Sequence, residues 1–156
     1  MCLVAGGRLG SMCPERDEDV ENGSPVGDRP VILVAEDDVL IRMGISDYLR
    51  NAGFAVLEAA DAEEARVLLA TGAPVEAVFS DIYMQGPRDG VELALWLELH
   101  HPDLPVLLTS GVADAYREAA EACANVHGFV VKPYDYSEVE GLLRSLVIGR
   151  KNSASK

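Results

Sequence analysis

Residues 31–38 read Val-Ile-Leu-Val-Ala-Glu-Asp-Asp, and the order of these eight decides the fold. The five apolar residues Val31 to Ala35 offer no polar face. A strand of that kind suits a parallel sheet covered on both sides. Three carboxylates follow at once. Crowded carboxylates repel one another and resist loss of water, so delivering them together at a strand end implies a cationic visitor.

Four further strand-like runs occupy residues 54–58, 75–80, 106–109 and 128–131. Helical patterns lie between them. Ile41, Ile45, Tyr48, Leu49 and Ala52 recur at helical spacing and Gly53 supplies a stop. Asp61 with Glu64 three residues on forms a capping pair, with Leu68 and Leu69 as the buried side and Gly72 as the end. A third helix is expected over residues 90–100, carrying Val91, Leu95 and Trp96, and an alanine-rich fourth over 113–124. The last starts near Asp135, with Glu138 in the capping position, and carries Leu142, Leu143, Leu146 and Val147. The polar tail after Gly149 is expected to fray. Strand and helix thus alternate five times, and right-handed crossovers turn such a series into an open, doubly wound parallel sheet of the α/β class.

The organisation expected around this sheet is an acidic arm over residues 1–28, one domain over 29–148 and a polar tail over 149–156. The arm lacks periodicity and sets Glu15, Asp17, Glu18, Asp19 and Glu21 against Arg16 alone. No output module is expected. The net charge of −13, from 26 acidic and 13 basic residues, argues against direct binding to nucleic acid or an anionic membrane. Three cysteines, Cys2, Cys13 and Cys123, fit neither a zinc site nor a disulfide framework and suggest a reducing compartment, with Cys123 as an apolar filler. The start has no basic leader, and no apolar run nears the roughly 20 residues of a membrane span. A cytoplasmic protein is the expectation.

The strand ends collect the chemistry. The first delivers Glu36, Asp37 and Asp38, the third Ser80 and Asp81, the fourth Thr109 and Ser110, and the fifth Lys132. In open α/β sheets ligands bind outside the carboxyl ends of the strands, where strand order reverses. Mg²⁺ takes oxygen ligands in octahedral geometry and binds through one or two carboxylates, waters and phosphate oxygens. Asp37 and Asp81 can supply the carboxylates, Glu36 a contact through water, and a carbonyl in the following loop another oxygen.

The stretches "ILVAEDD", "VFSDIYMQGPRDG", "PVLLTSG" and "FVVKPYD", in this order over about residues 30–148, resemble the receiver domain of two-component response regulators. The resemblance implies a flavodoxin-like sheet of order 2-1-3-4-5 with five helices, and a stand-alone signalling switch that catalyses only its own phosphotransfer and slow dephosphorylation. It implies that Asp81 is the phosphoacceptor, that Glu36 and Asp37 with Asp81 hold Mg²⁺ (or Mn²⁺ in its place), and that Tyr83 adds its main-chain carbonyl. Ser110 matches the switch hydroxyl, with the small Gly111 beside it leaving room for the phosphoryl group. Lys132 matches the lysine that pairs with phosphate, and Phe129 the aromatic that turns inward on activation. The partners so implied are a histidine kinase or histidine phosphotransfer protein and a downstream protein target, with dimerisation on activation. The Lys132–Pro133 bond is expected to be cis, as in receivers generally.

Plainer roles fall to other residues. Asp38 reads as a helix cap, Thr109 as a core-side strand residue, Asp89 as part of a turn and Trp96 as core. His100, His101 and His127 read as surface or turn residues without metal spacing. One departure from the family pattern is Gln85, where proline is usual, which is expected to loosen the loop carrying Tyr83. Three other functions fit the residues less well. An aspartyl phosphatase would place a second acid two residues after its nucleophile, where Tyr83 stands. A nucleotide-binding domain would want a glycine-rich turn in place of "AEDDVL". A pseudo-receiver would bind partners constitutively.

Overall fold

The computed structural model describes residues 28–85 and 89–155. The expected arm lies outside the described residues apart from Asp28, as do Cys2, Cys13 and Pro87. The chain runs β1 (Val31–Ala35), α1 (Val39–Asn51), β2 (Ala55–Ala59), α2 (Ala62–Ala70), β3 (Val75–Asp81), α3 (Asp89–His100), β4 (Val106–Ser110), α4 (Ala115–Ala122), β5 (Val126–Val131) and α5 (Tyr136–Ala154). The sheet order is β2-β1-β3-β4-β5 and every pairing is parallel. This is the doubly wound α/β fold the sequence pattern requires.

Side-chain alternation along the strands divides the core in two. Ile32 and Val34 of β1 point to the side of α1 and α5, where Ile45, Leu49, Phe79, Leu107, Val139 and Leu143 complete one layer. Leu33 and Ala35 point to the side of α2, α3 and α4, with Val78, Leu93, Leu97, Leu108 and Ala119. Burying each Leu, Ile or Phe contributes about 1.5–3 kcal/mol relative to exposure. The edge strand β2 is only half-buried, and it is secured by charge. Glu58 accepts from Arg50 Nη2 at 2.6 Å and pairs with Arg42 Nε at 3.5 Å.

Local signals set the helix ends. Asp38 Oδ1 accepts from the N–H groups of Leu40 and Ile41 at 2.9 and 3.1 Å, the cap expected of it. Asp61 Oδ1 accepts from Glu64 N–H, while Glu64 Oε2 reaches back to the N–H of Ala60, one residue short of the usual reciprocal partner. Gly53 and Gly72 end α1 and α2 at positive φ, 99° and 80°. Asp89, expected in a turn, opens α3. Trp96 is only partly buried, stacked on His100 and lying under the Arg66 guanidinium. Cys123 fills the core as expected.

The largest departure is at the carboxyl end. The stretch expected to fray after Gly149 stays helical to Ala154. Tertiary contacts hold it there: Arg150 Nη1 donates to Val75 O at 2.7 Å and Lys151 pairs with Glu76 at 3.5 Å. None of the described helices is long and apolar enough to cross a membrane.

Candidate functional site

The strand order places β1 directly beside β3, with β2 on the far side of β1. The carboxyl ends of β1 and β3 therefore meet at the point where the connections change direction. Glu36, Asp37 and Asp81 converge there, with one carboxylate oxygen from each lying within 4.8 Å of the others. Glu36 and Asp81 are 3% and 6% exposed. Two hollows among the described residues lie at the opposite end of the strands, away from these acids, and the larger, of about 580 Å³, is lined by Pro105, His127 and Arg150 among others.

Lys132 arrives from the end of β5. Its Nζ donates to Glu36 Oε2 at 2.7 Å and to Asp81 Oδ2 at 2.6 Å. The remaining oxygens are also engaged: Glu36 Oε1 accepts from Asp38 N–H at 3.1 Å, and Asp81 Oδ1 from Tyr83 N–H at 3.1 Å. Burial pushes the Glu36 carboxyl up; Lys132 and the Asp38 N–H oppose this, and the Asp81 charge adds to it. Burial pulls the Lys132 ammonium down, yet hydrogen bonds and charge from Asp81 and Glu36 together raise it. The Lys132 ammonium is bonded to Glu36 and Asp81 and is held charged by them, and by formal charge the three carboxylates of the cluster exceed it by two. That excess matches one divalent cation, and oxygen donors alone suit a hard ion.

Ser110 ends β4 fully buried. Its Oγ accepts from Val112 N–H at 3.0 Å, and its carbonyl accepts from Lys132 N–H at 2.9 Å. The hydroxyl residue and the lysine are thus joined through the backbone. Thr109 pairs with Asp81 across β3 and β4 and is fully buried, as its core-side reading required. Gly111 is exposed, with nothing within 4 Å of where a Cβ would stand. Phe129 lies apart from the acids; it is partly buried and stacks on Tyr116 of α4 with centroids 5.2 Å apart. Tyr83 is 44% exposed. The Lys132–Pro133 bond is cis.

Two contributors escaped sequence reading. Arg42, one turn into α1, donates to the Glu36 carbonyl at 2.6 Å and so ties the acidic end of β1 to the helix. Its only sequence signal is a basic residue one turn beyond a cap. Gly90 lets α3 start against the backbone of Asp81 and Ile82, and the glycine after Asp89 is the only hint of that.

The sequence profile of the response regulator receiver domain matches residues 32–144, most of the chain. The chain belongs to the response regulator receiver family. Among curated relatives of this receiver domain, the sensor kinase CckA of Brucella abortus is 30% identical over 134 residues, covering 85% of this chain and 14% of that protein. The transcriptional regulatory protein AruR of Pseudomonas aeruginosa is 31% identical over 122 residues, covering 76% and 49%. The chain thus spans less than half the length of each. Among solved structures, a response regulator receiver protein from Sinorhizobium medicae superimposes with a TM-score of 0.71 at 25% identity, covering 79% of this chain and 98% of that one. NtrX from Brucella abortus gives 0.72 at 29% identity, covering 80% and 28%.

Proposed function

We propose that this receiver accepts a phosphoryl group on Asp81 from a histidine kinase or a histidine phosphotransfer protein and signals the change through protein contacts. One observation carries the reading: Lys132 bridges Glu36 and Asp81 beside Asp37, in a cluster two charges short of neutrality. Glu36, Asp37 and Asp81, with the Tyr83 carbonyl, are the groups to hold Mg²⁺ or Mn²⁺. The bound ion supplies charge neutralisation for the incoming phosphoryl oxygens.

This chain's own residues do the rest by positioning. The Tyr83 N–H on Oδ1 and Lys132 on Oδ2 fix the Asp81 carboxylate at the end of β3. A carboxylate oxygen forms an O–P bond as the P–N bond of the donor histidine breaks, and the Lys132 ammonium compensates the added charge. The product carries about −1.5 to −2 charge. Ser110 keeps its hydroxyl proton to donate, since its oxygen already accepts from Val112. The backbone hydrogen bond from Lys132 to Ser110 makes the two responses move together. The readout surface is the α4–β5–α5 face, where Val112, Tyr116, Val131 and Leu142 are exposed and Tyr116 stacks on Phe129. That face is also the proposed surface for a downstream protein or for dimerisation on activation.

Incubation with acetyl phosphate and Mg²⁺ tests the reading by intact-mass spectrometry. The expected outcome is a gain of one phosphoryl group per chain, abolished by chelator. Turnover of unrelated phosphomonoesters would indicate an aspartyl phosphatase, and no mass change a constitutive binding module.

A further inference from the structure

The loop after β5 carries a second group close enough to feel the charges of Glu36 and Asp81. Tyr134 packs on the α1/α5 layer, its ring edge-on to Phe79 with centroids 5.6 Å apart and tilted against Tyr136 at 6.1 Å. Glu36 continues the extended line of β1, its N–H bonded to Ala59 O. Alternation therefore turns its side chain to the same layer as Val34 and Phe79. The Tyr134 hydroxyl is buried and has no hydrogen-bond partner among the described residues. Burial and the charges of Glu36, Tyr136 and Asp81 all hold its proton on, so it stays a donor. A buried hydroxyl without a partner is unfavourable, so an arrangement that offers it an acceptor is favoured over one that does not.

The site supplies that arrangement. Glu36 Oε2 is held by Lys132, two residues before Tyr134. When Lys132 is drawn to a phosphoryl group on Asp81, Glu36 loses its ammonium while remaining buried. We infer that Tyr134 is a positioning residue whose hydroxyl then donates to the Glu36 carboxylate, taking the place of Lys132 and keeping Glu36 turned to the metal side. The inference rests on the phosphoacceptor reading of Asp81. Its consequence is directional: the hydroxyl favours the phosphorylated arrangement over the resting one.

Tyr134→Phe keeps both ring contacts and removes only the oxygen. Urea midpoints of wild type and variant are measured in chelator, in Mg²⁺, and in Mg²⁺ with beryllofluoride as the phosphoryl probe. The variant is expected to be at least as stable as wild type in chelator. It should bind beryllofluoride about tenfold more weakly, the size of one hydrogen bond to a charged group, read as a smaller ligand-induced rise in midpoint. Equal rises in the two proteins overturn the inference and leave the Asp81 reading standing. A variant less stable in chelator also overturns it, because the hydroxyl then has a partner at rest. A wild type that gains nothing from beryllofluoride sinks the Asp81 reading and the inference together.

Discussion

Asp81→Asn is expected to remove all phosphoryl incorporation while leaving the fold in place. The amide has nearly the shape of the carboxylate, and the backbone around it is fixed by Ile82 N–H to Thr109 O at 2.9 Å and Gly90 N–H to Ile82 O at 3.0 Å. Its oxygen can still accept from Tyr83 N–H, and Lys132 keeps Glu36. What disappears is the nucleophile, because an amide oxygen carries no charge to attack phosphorus. The cluster also falls from two uncompensated negative charges to one. Two unit charges about 4 Å apart attract by about 4 kcal/mol at an effective dielectric of about 20. A loss of Mg²⁺ affinity of at least about tenfold, about 1.4 kcal/mol, is therefore expected from titration calorimetry. Intact mass after acetyl phosphate reads the first effect and circular dichroism the fold. Persistent incorporation in the variant would move the acceptor to another side chain, with Glu36 and Asp37 the neighbouring acids to examine.

Gly90→Ala is expected to cost at least about 3 kcal/mol of stability, at the upper end of what overpacking produces. A Cβ on Gly90 would overlap the Asp81 carbonyl oxygen and stand 2.7 Å from Ile82 Cα. Both obstacles are backbone, so no side-chain rotation relieves them. The only relief is to move the start of α3 away from the end of β3, which breaks the Gly90–Ile82 hydrogen bond and displaces Asp81. Phosphorylation should therefore fall along with the urea midpoint. Gly149 is the internal control: it sits in α5 with nothing within 4 Å of a Cβ, and Gly149→Ala should stabilise by about 0.5–1 kcal/mol through helix propensity alone. Equal effects at the two positions would show that the close approach at Gly90 is not what holds the loop.

The two substitutions probe different kinds of information. The aspartate could be read from its place after an apolar run. The glycine could not, because nothing near residue 90 in sequence reports what residue 81 is doing in space.

The sequence by itself determined the alternation of elements, since period and punctuation are local properties. The apolar runs, the caps at Asp38, Asp61 and Asp135, and the stops at Gly53 and Gly72 all act within a turn or two of where they stand. It also determined that acid, hydroxyl and ammonium stand at strand ends, because strand ends are set by the same local signals. Only the tertiary structure decided which of them touch. Lys132 reaches Glu36 across 96 residues and Asp81 across 51 because β1 lies next to β3 and the parallel strand β5, beyond β4, ends at the same edge of the sheet. Tertiary contact likewise carried α5 past Gly149, through Arg150 and Lys151 binding the start of β3, and it shut the Tyr134 hydroxyl away from a partner. Hydrogen bonds and clashes depend on distances of a few ångströms between residues far apart in the chain, and such distances exist only once the sheet has assembled.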